Sequence, residues 1–355
     1  MKLKINQQKI EDMLRQLPPY ISFILRLPYR LVKSIGNQRY RKRLLYKFKY
    51  RERKTSYGIE NPDKTFLIIR RVSEIEGHFS IINSVLGHLA RADKEGLLPV
   101  VDMQNHYNSI WQTEDKRGIE NAWEYFYHQP ANYNLSDIKK SQNIIHTEGG
   151  YPYNGPSYVN IIAGSQELLF WHQLYLKYIQ FNQPTLNYLQ GKVDKFQVSE
   201  RNVLGVSIRR GIEWGQKTTN AWFSGYARHP EIDEVIHKTA DILKQSHCDY
   251  LFLSIDDHEG LAKMKGAFGS KLLYIERKRS HYFKNDQPLP LREIKALNSI
   301  EDPDAAPEKH EHPEIKYLSE IYIISKCNSI ICSNTSANAT AMIMNGGRYA
   351  HVLVL

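Results

Sequence analysis

The sequence predicts an α/β protein with two doubly wound parallel sheets, and three observations carry this prediction. Short apolar runs typical of strands alternate with segments whose apolar residues recur at helical spacing, the pattern of parallel strands joined by helices. A chain of 355 residues exceeds the size at which a single hydrophobic core stops growing, so two domains are expected. A hydrophobic content of 41% and a charged content of 24% exclude a mainly disordered chain.

The first βαβ unit is predicted at the start of the globular part. TFLIIRRV at 65–72 predicts a strand, SIINSVLGHLARADKEG at 80–96 predicts a helix that ends at a glycine, and LLPVVDM at 97–103 predicts the next strand. The stretch 104–200 is rich in Tyr, Asn and Trp and has weak periodicity. Only its segment 165–182 predicts a long helix.

From residue 203 the alternation is regular and predicts a second parallel sheet. Strands are predicted at 203–209, 249–255, 271–276, 329–333 and 351–355, with helices at 230–245, 259–268, 314–327 and 336–346. Segment 283–313 holds five prolines and predicts a long loop, of a kind that often forms a lid or an acceptor-binding surface. The expected division is a basic arm at 1–60, an N-terminal domain at 61–200 and a C-terminal domain at 201–355.

The positive charge is concentrated in the N-terminal arm. The net charge is +10, yet residues 1–54 hold 16 Lys and Arg against three acidic residues, and the remaining chain holds 32 against 35. Within the arm, Tyr, Phe, Leu and Ile alternate with Lys and Arg, a composition suited to an anionic lipid surface. A solvated pair of basic helices and a nucleic-acid contact are the alternatives. The first interpretation predicts a helical, amphipathic arm that attaches the protein peripherally to a membrane.

Neither a membrane span nor a signal peptide is expected. The longest uncharged run of the arm, 16–25, contains two prolines and is about half of the ~20 residues that a spanning helix needs. Arg26 and Arg30 interrupt the apolar core that a signal peptide requires. Cys248, Cys327 and Cys332 lie in apolar runs without metal-ligand spacing, so buried free thiols in a reducing compartment are expected. The predicted localisation is cytoplasmic.

The strand at 203–209 ends in an unusual sequence, GVSIRRGIEWGQ at 205–216. Arg209 and Arg210 lie where a doubly wound sheet binds its ligand, and alternation along the strand directs only one of them into the cleft. Arg209 is the preferred candidate, because a guanidinium binds phosphate oxygens bidentately. Gly211 allows the backbone to approach a bulky group. Alternatively, both arginines are surface residues paired with acids.

Two other strands also end in polar residues. Ser333, Asn334, Thr335 and Ser336 follow a buried strand and precede a helix of small residues, so their hydroxyls and the helix N-terminus are candidates for binding a ligand phosphate. A purely helix-capping role is the alternative. Asp256 and Asp257 end LFLSIDD at 251–257, where a carboxylate accepts hydrogen bonds from a nucleoside or caps the next helix.

The N-terminal unit contributes a weaker signal. Gly77 and His78 lie between the first strand and its helix, where a turn presents N–H groups to an anion. Neither a dinucleotide fingerprint nor a P-loop is present. His310 and His312 lack a third ligand, so solvated loop histidines are expected rather than a metal site. The acids of DPD at 302–304 match a metal-binding pattern by letters alone.

These pieces, in this order, resemble the fucosyltransferase superfamily of protein O-fucosyltransferases, α1,6-fucosyltransferases and bacterial nodulation fucosyltransferases. GHFSIINSVLGHLA at 77–90 looks like that group's G-R-[FL]-G-N-Q stretch and helix, and SIRRGIEW at 207–214 is similar to its H-x-R-x-G-x-D-W motif. YLFLSIDD and IYIISKCNSIICSNTSANAT look like its later strand and its closing Ser/Thr-rich turn. The resemblance covers roughly residues 65–345.

The resemblance implies a GT-B-like fold, in which two Rossmann-like domains face a cleft, and a GDP-fucose-like donor bound mainly by the second domain without a metal. By position, Arg209 would hold the diphosphate, Asp256 or Asp257 would approach the nucleoside, and the turn 333–336 would bind the phosphates. The motif's His is Ser207 here, its Asp is Glu213 and the early Arg is His78. These departures bear directly on which sugar is donated.

The function expected from the residues and the resemblance is inverting glycosyl transfer to a glycan acceptor, as in surface polysaccharide synthesis. Fixed cations and N–H donors would stabilise the leaving diphosphate, with Arg209 as the cation and Glu213 or His78 as the acceptor's base. Arg210, Gly211 and Gly77 complete the predicted donor contacts. The expected partners are the nucleotide sugar, a free or lipid-linked glycan and a membrane surface. A metal-dependent transferase using 302–304 and a nucleic-acid-binding protein acting through its arm are the alternatives.

Overall fold

The structure is a computed structural model. It describes residues 51–71, 77–106, 110, 116–149, 155–164, 166–210, 230–281, 283–284, 287–288, 312 and 314–355. The strands are β1 Arg53–Thr55, β2 Glu60–Arg70, β3 Leu98–Asp102, β4 Ser141–His146, β5 Val203–Ile208, β6 Tyr250–Ile255, β7 Leu272–Tyr274, β8 Phe283–Lys284, β9 Gln287–Pro288, β10 Ser329–Cys332 and β11 Val352–Val354. The α-helices are α1 His78–Glu95, α2 Tyr158–Ile162, α3 Gln166–Tyr178, α4 Gln183–Phe196, α5 Ile232–Gln245, α6 His258–Phe268, α7 Glu314–Ile324 and α8 Ser336–Asn345.

The first sheet has the strand order β1-β4-β2-β3. β2 pairs in parallel with β3 and β4, whereas β1 pairs antiparallel with β4. β1 and the start of β2 lie within the segment expected to be arm. The basic segment therefore joins the sheet directly, and Glu52, just before β1, pairs with Arg91 of α1 at 2.5 Å.

The second sheet is wholly parallel, with the order β11-β10-β5-β6-β7. All six residues of β5 are buried, as expected for a central strand covered by helices on both faces. The chain passes from β5 to β6 and β7 on one side and then returns to place β10 and β11 on the other. The protein is thus α/β with two parallel-rich sheets, as predicted.

One hydrophobic cluster lies between the two sheets. It contains Leu67 and Ile69 of β2, most apolar residues of α1, α3, α7 and α8, and Phe252 and Ile330 of the second sheet. A separate cluster covers the opposite face of the second sheet beneath α5 and α6, and a small one lies outside the first sheet. Helices α1, α7 and α8 therefore fix how the two sheets sit against each other.

The structure bears on the expectations for the three cysteines and for membrane-spanning helices. The three cysteines are buried free thiols, as predicted, and burial raises the pKa of Cys332 to about 12. Among the described residues, no helix has both the length and the apolarity needed to traverse a bilayer.

Candidate active site

The carboxyl ends of β5 and β10 form the topological switch point of the second sheet. The chain leaves β5 toward β6 on one side, whereas β10 lies on the other, so the segments that follow these two strands diverge. Open α/β sheets bind their ligands in this crevice. Arg209 follows β5 and Ser333 follows β10. The Arg209 N–H donates to Ser333 Oγ at 3.4 Å, so the two strand ends are in contact.

Arg209 and Arg210 have opposite environments, as strand alternation requires. The Arg209 side chain is 48% exposed and its Nε lies 3.8 Å from Asp256 Oδ2. The Arg210 side chain is 1% exposed and donates from Nη1 to Asp257 Oδ2 at 2.7 Å, with Asp257 fully buried. The sequence predicts both Arg210 and Asp257 as donor contacts, whereas the structure places them beneath the surface. We therefore assign Arg210 and Asp257 a structural role, in which they support the ends of β5 and β6.

Asp257 supports this edge by capping α6. Its Oδ2 also accepts the Gly260 N–H at 2.7 Å. A Cβ on Gly260 would lie 3.0 Å from Asp257 Oδ2 and 2.6 Å from Ile255 Cδ1, so glycine allows the helix to start this close to the ion pair. Asp256 is partly exposed, and its Oδ1 accepts the Arg210 N–H at 2.8 Å. Asp256 is therefore the carboxylate of the pair that is open to a ligand.

The turn after β10 divides into a buried support and a partly exposed rim. Ser333 is buried, and the Asn338 side-chain amide donates to the backbone oxygens of Ser207 and Ser333 at 3.1 and 2.7 Å. Asn334, Thr335 and Ser336 are partly exposed. Thr335 is the N-cap of α8, where its Oγ1 accepts the Asn338 N–H at 3.3 Å. The capping alternative is therefore realised by Thr335, and α8 points its positive end at the crevice.

Helix α1 begins beside this turn. The Asn83 amide donates to the backbone oxygen of Ser336 at 3.2 Å, and Thr340 Oγ1 donates to Asn83 Oδ1 at 3.2 Å. Gly77 is the N-cap of α1 without a side-chain cap, and open space lies where its Cβ would be. The first turns of α1 and α8 are thereby held together across the interface between the sheets.

His78 is buried rather than open to an acceptor. Its side chain shares a 2.7 Å hydrogen bond between Nε2 and the Tyr127 hydroxyl, and the rings of Phe79 and Phe126 lie near it. Burial, with a smaller contribution from His312, lowers its pKa to about 3. An imidazole this weakly basic accepts a proton poorly at neutral pH. We therefore assign His78 to the core rather than to catalysis.

The structure contains a buried charge network next to Asp256, which the sequence predictions do not include. Glu320 of α7 is fully buried and accepts from Ser254, from Arg277 Nε at 2.9 Å and from Arg279 Nη2 at 3.2 Å. Both arginines also donate to the backbone oxygen of Ile255, each at 3.1 Å. The signal was present in the sequence, because ERKR at 276–279 follows a predicted strand as RR follows β5.

Tyr317 links this network to the first half of the molecule. Its ring lies 5.1 Å from the Arg277 guanidinium and 5.2 Å from the Phe79 ring of α1. Burial raises its pKa to about 12, and Arg209, Arg277 and Asp256 all act on it electrostatically. Tyr317 therefore lies at the point where the two halves meet beside the candidate site.

Several predicted residues lie outside the described part of the chain: Gly211, Glu213, Asp302, Asp304 and His310. His312 corrects an expectation, since it is partly buried rather than solvated. Its Nε2 donates to the Ile110 backbone oxygen at 2.7 Å, and its ring packs near Tyr125 and Phe126. Among the described residues, no group of three or more His, Cys, Asp or Glu is placed to hold a metal ion.

The structure is similar to solved fucosyltransferases. The fucosyltransferase NodZ from Bradyrhizobium has 12% sequence identity and a TM-score of 0.44 over 80% of this chain and 93% of its own. NodZ alpha-1,6-fucosyltransferase co-crystallised with GDP has 13% identity and a TM-score of 0.41, covering 80% and 92%. POFUT1 in complex with GDP-fucose has 8% identity and a TM-score of 0.36, covering 84% and 75%.

These solved structures are fucosyltransferases, the group that the sequence motifs resemble, and they share low sequence identity with this chain. These identities are too low to transfer a substrate or the role of a residue. No protein-family model matches the chain, and no curated protein matches it by sequence.

Proposed function

We propose that this protein is a glycosyltransferase that takes a sugar from a nucleotide diphosphate donor and transfers it to a glycan hydroxyl with inversion. The motif resemblance makes a GDP-sugar of the fucose type the first donor to test. The proposed binding site is the crevice between β5 and β10, where the Arg209 backbone contacts Ser333 and the partly exposed residues Asn334, Thr335 and Ser336 follow.

The observation that carries the proposal is the half-exposed Arg209 beside the N-terminus of α8. A guanidinium and the unpaired N–H groups of a helix's first turn both favour phosphate oxygens. Here Arg209 and the start of α8 follow the two strands of a switch point, where α/β sheets bind nucleotides. Asp256, partly exposed at the adjacent strand end, would accept hydrogen bonds from the nucleoside portion.

The proposed chemistry requires stabilisation of the leaving group. As the bond between the anomeric carbon and the diphosphate oxygen breaks, the sugar acquires oxocarbenium character and negative charge grows on the diphosphate. Arg209 and the first turn of α8 would stabilise that charge. Arg210, Asp257 and Gly260 hold the end of β5, and with it the Arg209 backbone, in place, which favours a pre-organised site.

Two parts of the proposal concern residues beyond the described chain. Glu213 remains the candidate base for the acceptor hydroxyl, since His78 is buried with a pKa of about 3. The basic arm would bring the enzyme to a membrane, where lipid-linked glycans of surface polysaccharide synthesis are available as acceptors.

The test is thermal stabilisation by GDP, UDP, CMP, ADP and their sugar conjugates, each with and without EDTA. A ligand that binds only the folded state stabilises it by about 2.7 kcal/mol at a hundredfold excess over Kd. We expect GDP and a GDP-sugar to raise the melting temperature equally with and without EDTA. A shift with another nucleotide would support the same site but a different donor. A shift that EDTA abolishes would favour the metal-dependent alternative.

Matched variants localise the effect to the proposed crevice. Arg209→Ala should remove most of the nucleotide shift. Arg201→Ala, which lies before the opposite end of the same strand and packs on Tyr250 at 4.4 Å, should retain it. Equal shifts in the two variants would place the nucleotide elsewhere. No shift with any nucleotide would reject the transferase proposal and leave nucleic-acid binding by the arm to be tested.

A further inference from the structure

A second polar cavity lies at the amino-terminal edge of the second sheet, opposite the candidate active site. Its volume is about 500 Å³, within the range of small-molecule sites. Asn202, just before β5, lines one side, and Asn328 and Ser329 at the start of β10 line another. β5 has six residues at roughly 3.3 Å each, so about 20 Å of buried strand separates this cavity from Arg209.

Two cations stand at this cavity, and none of the described residues that line it is acidic. Lys326 follows α7, and Arg348 follows the turn that ends α8. Within the part of the chain that the structure describes, no ion pair joins either side chain to a carboxylate. Burial lowers the pKa of Lys326, and the nearby positive charge of Arg348 lowers it further. The cavity thus brings together two like charges that an anion would stabilise.

The Arg348 side chain is fixed in position by Asn345. The Arg348 N–H donates to Asn345 Oδ1 at 2.5 Å, and its Nε donates to the Asn345 backbone oxygen at 2.7 Å. The Asn345 amide in turn donates to the Ser325 backbone oxygen at 3.0 Å. Lys326 lies over the Tyr322 ring at 5.0 Å. Lys326 and Arg348 are both exposed, and these contacts orient them at the surface of the cavity. Pre-organised donors lose less entropy when a ligand binds.

One buried hydroxyl at this cavity lacks a hydrogen bond. Ser329 is 1% exposed, and its Oγ has no partner among the described residues. Its neighbour in the lining, Ser325, donates to the Tyr322 backbone oxygen at 2.6 Å and is satisfied. A buried hydroxyl without a partner is unfavourable by about 1–3 kcal/mol, so Ser329 would gain from a new hydrogen bond.

We propose that this cavity binds the phosphate group of a small soluble molecule. The Arg348 guanidinium and the Lys326 ammonium provide several donors for a compact anion with several acceptor oxygens. The concave shape and modest volume fit a phosphate or a phosphomonoester rather than a polymer. The site is independent of the nucleotide crevice, although β10 and α8 each run from one site to the other, from Ser329 to Ser333 and from Ser336 to Asn345.

The first test uses the full-length, unmodified protein and reads the site directly. Lysine acylation is measured by mass spectrometry with increasing inorganic phosphate or a hexose phosphate, each at constant ionic strength made up with chloride. We expect either compound to protect Lys326 several-fold while leaving the exposed Lys238 of α5 unchanged. Stronger protection by the hexose phosphate would identify a phosphomonoester, and equal protection would identify the phosphate group as sufficient. Equal modification of Lys326 with and without both compounds would overturn the proposal.

Calorimetry with inorganic phosphate on matched variants provides the second test. Lys326→Gln/Arg348→Gln should weaken binding at least tenfold, whereas Lys238→Gln should bind as the parent does. Both variants keep the N-terminal arm and Arg209, so binding at those places contributes equally to each titration. Identical titrations for the double variant and the parent would show that phosphate binds elsewhere and would reject the cavity as its site.

Discussion

Arg209 and Arg210 show how one residue of chain separates an exposed side chain from a buried, supporting one. Alternation turns the first side chain to the crevice and the second beneath the sheet edge, where it meets Asp257. The sequence alone predicts one arginine facing the ligand, because the alternation is visible in it. It does not reveal that Arg210 and Asp257, 47 residues apart, form an ion pair, since that depends on the register between β5 and β6.

Replacing Arg209 should affect the rate and spare the fold. Arg209→Ala removes a half-exposed cation that the proposal places on the leaving diphosphate, so turnover should fall by ~10²-fold or more. The melting temperature without ligand should stay close to that of the parent. Transfer or donor hydrolysis is measured beside Arg201→Ala as the control. A variant that keeps its rate would remove Arg209 from catalysis.

Replacing Arg210 should have the opposite effect. Arg210→Ala leaves the Asp257 carboxylate buried without its cation, a change that typically costs about 3–5 kcal/mol. Urea unfolding should show this loss, and activity should fall only through loss of folded protein. If the variant is as stable as the parent but inactive, Arg210 contacts the donor after all.

His78 predicts how stability depends on pH. Its folded pKa is about 3 against an ordinary 6.5, so the unfolded chain binds the proton more readily between these values. The stabilisation is complete above pH 6.5 and is lost as the pH falls toward 3. At pH 5 the loss is about 2 kcal/mol relative to neutral pH.

The measurement compares urea unfolding at pH 7.5 and pH 5. His78→Phe should lose less stability between the two pH values than the parent does. His237→Phe, at an exposed position of α5, should lose as much as the parent. An identical loss in the His78 variant would show that its imidazole is protonated in the folded state or contributes nothing.

At the scale of elements, helix α8 is fixed at both ends, but only some of the features that fix it can be recognised in the sequence. The Ser/Thr-rich turn before it and the glycine after it predict its bounds within one residue. Gly346, however, also lies against α3, where His172 Nδ1 is 2.6 Å from the Ile343 backbone oxygen. That contact joins segments more than 170 residues apart. The pattern of 104–200 indicates the long helix α3 but not its partner.

The same substitution should act in opposite directions at two glycines. Gly346 has φ of 71°, and a Cβ there would lie 2.7 Å from the His172 ring, so Gly346→Ala should destabilise by at least about 1–2 kcal/mol. Gly266, inside α6, has no atom within 4 Å of its Cβ position, so Gly266→Ala should stabilise by about 0.5–1 kcal/mol. Chemical denaturation measures both. A neutral Gly346→Ala would show that α3 and α8 can separate without loss.

On the scale of the whole molecule, the sheets were predictable and their joint core was not. Alternating strands and helices specify two parallel-rich sheets, because that periodicity is local. The cluster between them unites Leu67 of β2 with α7, α8 and Ile330 of β10, contacts that span much of the chain. β1 and β4 also lack a clear pattern, and they pair through segments separated by about ninety residues.

The composition of the basic arm predicts that the protein attaches to anionic membranes. Its positive charge and interleaved apolar residues favour such a surface, whereas the rest of the chain carries 32 basic against 35 acidic residues. The deletion should stop at residue 50, because Glu52 pairs with Arg91 and Arg53 begins β1. We expect the protein lacking 1–50 to stay folded, to keep its thermal shift with nucleotide and to lose sedimentation with phosphatidylserine vesicles.

A variant with Arg39, Arg41, Lys42 and Arg43 changed to Gln keeps the apolar residues and should bind these vesicles more weakly, roughly by 1 kcal/mol per charge removed. Binding that survives the deletion, or that is equal on neutral vesicles, would reject the arm as an electrostatic anchor.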